Sequence, residues 1–243
     1  MAAEIPANFV NSTLVTTIAF FLCVVAIFYR ASAALEKKQR LKFTFLVLAV
    51  LIAWFTIVSL LGKIRFFVAN PLLAPNIILL FLAIFIFLQK VYKSPGFQKI
   101  ADNLPLPWAI GVQTYRIVGV GFLILYNLGL LPAAFAFPSG YGDILVGLLA
   151  PLVTFFYLRK TSFSRKLAVF WNYLGIADLV MALSLGSLAF PIPYQTLPTT
   201  VSTEIFALFP MILIPGFAVP LAFFLHLLSL RVLNNEKMLS KNH

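Results

Sequence analysis

At 243 residues the chain has the length of a large soluble domain, yet 62% of its residues are apolar and only 10% are charged. That composition excludes an ordinary soluble globular protein. The formal net charge of +11 invites a nucleic-acid reading, but the basic residues gather in the gaps between long apolar runs, which excludes it. The single cysteine, Cys23, excludes an intrachain disulfide and a cysteine metal cluster.

About 20 apolar residues suffice for a helix to cross a bilayer. The runs predict an all-α polytopic membrane protein, one domain over 1–243 with seven transmembrane helices. The spans are Ser12–Tyr29, Phe43–Leu61, Leu72–Leu88, Trp108–Leu131, Phe137–Leu158, Leu167–Ala189 and Ile205–Leu230. Every basic residue except Lys63, Arg65 and Arg116 follows the first, third, fifth or seventh span. Positive charge collects on the cytoplasmic side, so the expected topology has the N-terminus outside and the C-terminus cytoplasmic. The bacterial inner (plasma) membrane is the expected location, with anionic lipid at the cytoplasmic face as a partner.

Ala31-Ser32-Ala33 has the look of a signal-peptidase site. No Lys or Arg precedes the apolar run, however, so the first span reads as a permanent helix. Spans one to three carry no internal charge and read as lipid-facing or scaffold helices. The loop after span three places Phe97, Ile100 and Leu104 at helical spacing, with Lys99 and Asp102 opposite. That pattern predicts a short amphipathic helix anchored in the inner interface.

Spans four to six each carry a polar and small-residue stripe at spacings of three and four: Gln113, Arg116 and Asn127 in span four; Gly140, Asp143 and Gly147 in span five; Asn172, Gly175 and Asp178 in span six. Such stripes mark helix-to-helix contact, because small residues let backbones approach and polar groups avoid lipid. Gly140–Gly147 and Gly175–Ala182 share a pattern, Gly-x-small-Asp and then three large apolar residues before a small one. The two copies would cross the membrane in opposite directions, a transporter habit. Span seven carries Pro210, Pro215, Pro220 and His226, which predicts a repeatedly bent helix.

Depths counted at about 1.5 Å per residue put Gln113, Asn172 and His226 in an inner layer. Arg116 and Asp178 fall near the middle as a plausible pair, and Asn127, Asp143 and Glu204 lie toward the outside. A central Asp costs about 2.5–3.5 kcal/mol on insertion, which the Leu, Ile, Val and Phe of span six offset at about 0.3–0.6 kcal/mol each. Insertion alone therefore demands no function of Asp178. No basic residue is expected at the depth of Asp143. It reads as protonated or facing water from the outside, both suited to proton coupling or cation binding, with backbone capping after Pro138-Ser139-Gly140 as the structural alternative.

The segments Gln113-Thr-Tyr-Arg116, Leu131-Pro132, Phe137-Pro138-Ser-Gly140-Tyr-Gly-Asp143 and Gly175-Ile-Ala-Asp178 resemble uncharacterised bacterial multi-span inner-membrane proteins. The resemblance covers spans four to six and implies no activity. The last span, Glu204–Arg231, lacks the lysine that a retinal Schiff base needs, and His226 and His243 are too few for a seven-span zinc hydrolase.

Three functions are weighed. The leading one is a membrane transporter or proton/cation-coupled carrier for a small ion or metabolite, with its site among Asp143, Asp178, Arg116, Glu204, His226, Asn127, Asn172 and Gln113. Arg116 would serve charge balance or an anionic group. An intramembrane lipid-modifying enzyme would gather its acid, base and nucleophile at one depth, which these residues do not. The third is a non-catalytic assembly or sensor module held by a structural ion pair. No cofactor, metal or nucleic-acid partner is expected.

Overall fold

The computed structural model describes residues 5–69, 82, 86, 94–191, 197, 200–201 and 202–239. Among these the chain is all-helical, without a strand, and six helices are long and apolar enough to cross a membrane. The expected third span, Leu72–Leu88, lies outside the described residues apart from Leu82 and Ile86.

Helix α1 (Ala7–Ala31) and helix α2 (Lys37–Lys63) form an antiparallel pair, followed by the short α3 (Phe66–Ala69). After α4 (Pro95–Asp102) come α5 (Leu106–Asn127), α6 (Ala133–Leu158), α7 (Ser164–Leu188) and α8 (Val219–Leu239). The centre of the bundle is α8, 67% buried over its apolar window against 22–39% for the other spans. The outer surface is the reverse of a soluble protein's, with Phe45 72% and Phe170 65% exposed. Such a belt is stable only in an apolar surround.

The ends of the bundle differ in charge. Arg231 donates to Asp102 at 2.7 Å, Arg165 Nη2 donates to the Leu233 carbonyl at 2.8 Å, and Tyr157 hydrogen-bonds Glu236. These contacts bring α4, the close of α6, the start of α7 and the close of α8 to one end. The described basic residues other than Lys63, Arg65 and Arg116 lie toward that end. The far end is an apolar cluster that includes Phe122, Phe135, Leu131, Phe206 and Met211, with Ile5 and Phe9 packed on it.

Two expectations change here. Helix α4 does form, capped by the Ser94 hydroxyl accepting from the Phe97 N–H at 3.2 Å. Its apolar face is not given to lipid, however. Phe97, Ile100 and Leu104 are buried, with Phe97 ring centroids 6.2 Å from Phe28 and 6.4 Å from Phe224. Packing on protein satisfies the same amphipathic pattern as an interface would, so α4 plugs the basic end of the bundle.

The last span is likewise not one helix with three bends. Glu204–Ala207 is a 3-10 turn, Pro210 precedes the helix, Pro215 lies in a π-turn (Ile214–Ala218), and Pro220 is the second residue of α8. Pro215 stands in a first turn, where no hydrogen bond is broken, whereas Pro220 lies inside the continuous Ile214–Glu236 helix and its missing N–H leaves the Gly216 carbonyl without an intrahelical donor. The π-turn is held from the side by Trp54 of α2, whose indole N–H donates to the Gly216 carbonyl at 2.8 Å.

Candidate functional site

The middle of α5 tightens into a 3-10 helix over Val112–Gly119. A 3-10 turn rises about 2.0 Å per residue against about 1.5 Å in an α-helix. Arg116 therefore sits about 2 Å further from the basic end than an α-helical count gives. The tight segment lies directly on α6: a Cβ at Gly119 would come within 2.5 Å of Asp143 Cβ, and one at Gly147 within 2.7 Å of the Ile117 nitrogen. The small residues of α6 thus form the seat for α5, and the contact delivers Arg116 between two carboxylates.

Arg116 is 1% exposed and uses every side of its guanidinium. Its Nε donates to Asp143 Oδ1 at 2.7 Å, its Nη2 pairs with Asp178, and its Nη1 reaches the Gly175 carbonyl and His226 Nε2, each at 3.5 Å. The expected Arg116–Asp178 pair is present. The expectation that Asp143 lacks a basic partner is wrong, because the 3-10 rise and the length of the arginine side chain carry its charge outward to Asp143.

His226 continues the network. Its Nδ1 lies 2.9 Å from Asn172 Oδ1, and Asn172 Nδ2 donates to the Ala168 carbonyl at 2.8 Å. That second bond orients the amide, so Asn172 Oδ1 accepts and His226 Nδ1 carries the hydrogen. Arginine only donates, so Nε2 turns its lone pair to Arg116 and the ring is the neutral Nδ1–H tautomer. The imidazole rests on Gly175, where a Cβ would strike the ring, and beside Trp171 at 4.9 Å between centroids.

Five of the sequence-derived residues therefore join in one chain of contacts: Asp143, Asp178, Arg116, His226 and Asn172. Gln113 is buried a turn away, its Nε2 donating to the Ala222 carbonyl at 3.2 Å while its Oε1 has no partner among the described residues. Glu204 lies in the far-end 3-10 turn, and Asn127 is exposed at the close of α5. Neither meets the cluster. The Asp of each Gly-x-small-Asp segment reaches the same arginine from an antiparallel neighbour.

Two cavities meet at Asp143. One, of about 730 Å³ including its open mouth, runs from Phe9 and Ser12 past Thr13, Thr16 and Thr17 to Tyr115, Arg116 and Asp143. The other, of about 500 Å³ including its open side, is walled mainly by apolar residues including Phe122, Phe135, Leu179, Phe190 and Phe206. Asp143 keeps 19% side-chain exposure. Among the described residues its Oδ2 has no hydrogen-bond partner, since the bond to Arg116 uses Oδ1. Asp178, 5% exposed, lines neither space.

Helix α1 corrects a further expectation. It is no bare scaffold but supplies the hydroxyl wall of the larger cavity. The signal lay in Ser12, Thr13, Thr16 and Thr17, whose spacing puts four hydroxyls on one face of an otherwise apolar helix. Tyr115, stacked on Phe20 at 4.2 Å, faces the same wall.

Among the described residues no group of three or more His, Cys, Asp or Glu is placed to hold a metal ion. No curated protein and no solved structure matches the chain. Residues 72–234 match a family model described as a domain of unknown function, DUF8737. The match takes in more than half of the chain and the whole Arg116–Asp143–Asp178–His226 cluster, so the protein belongs to the DUF8737 family.

Proposed function

We propose that this protein is a membrane carrier that couples to a proton or small cation at Asp143. The observation that carries the reading is one arginine shared by two carboxylates, one of which keeps a free oxygen at the junction of two cavities. Fully ionised, Arg116, Asp143 and Asp178 sum to one negative charge. A net charge in a low-dielectric interior is expensive, so the triad favours taking up one positive charge. Every nitrogen of Arg116 is already engaged, two of them with carboxylates, so it serves as charge balance. Its grip on both α6 and α7 ties occupancy of Asp143 to helix packing.

The topology belongs to the same reading. Basic residues crowd one end of the bundle, and by the positive-inside rule that end is cytoplasmic. The N-terminus and the Ser12 end of the larger cavity then face outward, and anionic headgroups surround Lys37 and Lys38 at the cytoplasmic end. We propose seven crossings in all: Ala69 stands near the far-end cluster and Ser94 at the basic end, so an odd crossing between them completes the bundle. The resemblance to bacterial inner-membrane proteins favours that membrane.

The test is proton and cation flux in liposomes holding the purified protein, with sodium, potassium and small amines scanned in turn. The reading expects flux in the wild type and its loss in Asp143→Asn, with thermal unfolding unchanged. Wild-type protein that moves neither protons nor any cation in the panel overturns it.

A further inference from the structure

We infer that the paired cavities bind an organic cation, a protonated amine with a compact apolar body. The ammonium sits at Asp143 Oδ2 and the body fills the phenylalanine-lined chamber. The inference rests on the carrier reading for transport and deepens it by naming the substrate class.

The two cavities are chemically unlike and share one charged wall residue with an unused oxygen. The hydroxyl-lined arm offers Ser12, Thr13, Thr16 and Thr17, which suit water or an ion's hydration shell. The second arm is closed to such a shell by Phe122, Phe135, Phe190 and Phe206. Its space of about 500 Å³ includes an open side through which a compact body can enter. An inorganic cation would use Asp143 and leave this chamber without a role. An apolar molecule without charge would leave the triad's negative charge unbalanced. An anion would meet a carboxylate, because all of Arg116's nitrogens are already engaged. A primary amine on an aromatic or branched aliphatic body answers both arms at once. Its ammonium donates to Asp143 Oδ2 beside the Phe122 ring, which lines both cavities and adds cation–π attraction.

The experiment is equilibrium binding of radiolabelled phenethylamine to the full-length protein in lipid nanodiscs, with phenethyl alcohol, phenylacetate and methylammonium as competitors. The amine is expected to bind at least tenfold more tightly than the alcohol or phenylacetate. Asp143→Asn should weaken it at least tenfold. Ala182→Phe narrows the apolar chamber and replaces no member of the triad; it should lose phenethylamine while still binding labelled methylammonium. Equal binding of alcohol and amine overturns the inference, as does unchanged amine binding in a folded Asp143→Asn protein. Proton or sodium flux without amine binding defeats this substrate class and leaves the carrier standing. Amine binding without any flux does the reverse.

Discussion

The Cα of Gly142 on α6 lies directly beneath the Asp178 carboxylate of α7, so closely that a methyl group there would occupy the space of Asp178 Oδ1. That oxygen is buried and, among the described residues, has no hydrogen-bond partner. It rests on a glycine, where only a weak C–H donor faces it. The two aspartates on Arg116 are therefore unequal: one is walled in by backbone, the other open to a cavity.

Gly142→Ala is expected to destabilise the protein by about 1–3 kcal/mol, the usual cost of overpacking, because Asp178 must leave Arg116 to make room. Gly96 in α4 has nothing within 4 Å of its missing Cβ. Gly96→Ala should raise stability by up to about 1 kcal/mol through helix propensity. Thermal unfolding of both variants in one detergent checks the contrast.

Arg116→Ala leaves two carboxylates without their partner and should cost about 3–5 kcal/mol. Arg116→Lys should recover only part of this, since an ammonium cannot reproduce a fork that bonds both carboxylates while meeting the Gly175 carbonyl. Denaturation midpoints of the two variants against the wild type decide it.

Asp102→Asn tests the other described aspartate–arginine pair. Asp102 is 39% and Arg231 22% exposed, and exposed ion pairs contribute about 0–1 kcal/mol. A loss below about 1 kcal/mol is expected, with amine binding unchanged.

Asn172→Leu removes the acceptor that holds the His226 hydrogen on Nδ1. A stability loss of about 1–3 kcal/mol is expected from the stranded buried donor. Nitrogen NMR of labelled histidine should show the neutral Nδ1–H tautomer in the wild type and its loss in the variant.

Trp54→Phe leaves the Gly216 carbonyl of the π-turn without its indole donor. About 1–3 kcal/mol should be lost, and hydrogen exchange at the start of α8 should quicken.

The apolar runs and the small-residue stripes made the helical class and the facing sides of α5, α6 and α7 legible, because lipid sorts side chains by polarity along the whole length of a helix. The pairing of Arg116 with Asp178 followed from depth counting. Asp143 escaped the same count, since nothing in Val112–Gly119 announces a 3-10 rise. The role of α1 was missed because threonines in a membrane helix commonly bond their own backbone, and hydroxyls facing a cavity have the same spacing. Pro210 and Pro215 looked like bends because sequence alone does not separate a helix interior, where Pro220 lies, from the turns that lead into it. Asn127 and Glu204 shared polarity with the cluster but lie at helix ends, where a polar residue needs no partner.

The depth of the hydroxyl-lined cavity also has an electrical meaning. Thr17, at the inner end of the hydroxyl wall, lies about 15 Å along α1 from Ala7, so Asp143 beside that wall sits well inside the bilayer. A unit charge crossing the whole membrane potential changes energy by about 2.3 kcal/mol per 100 mV. In the proposed orientation a cation settling at Asp143 would descend part of that drop, and an inside-negative voltage would load the site more strongly than concentration alone.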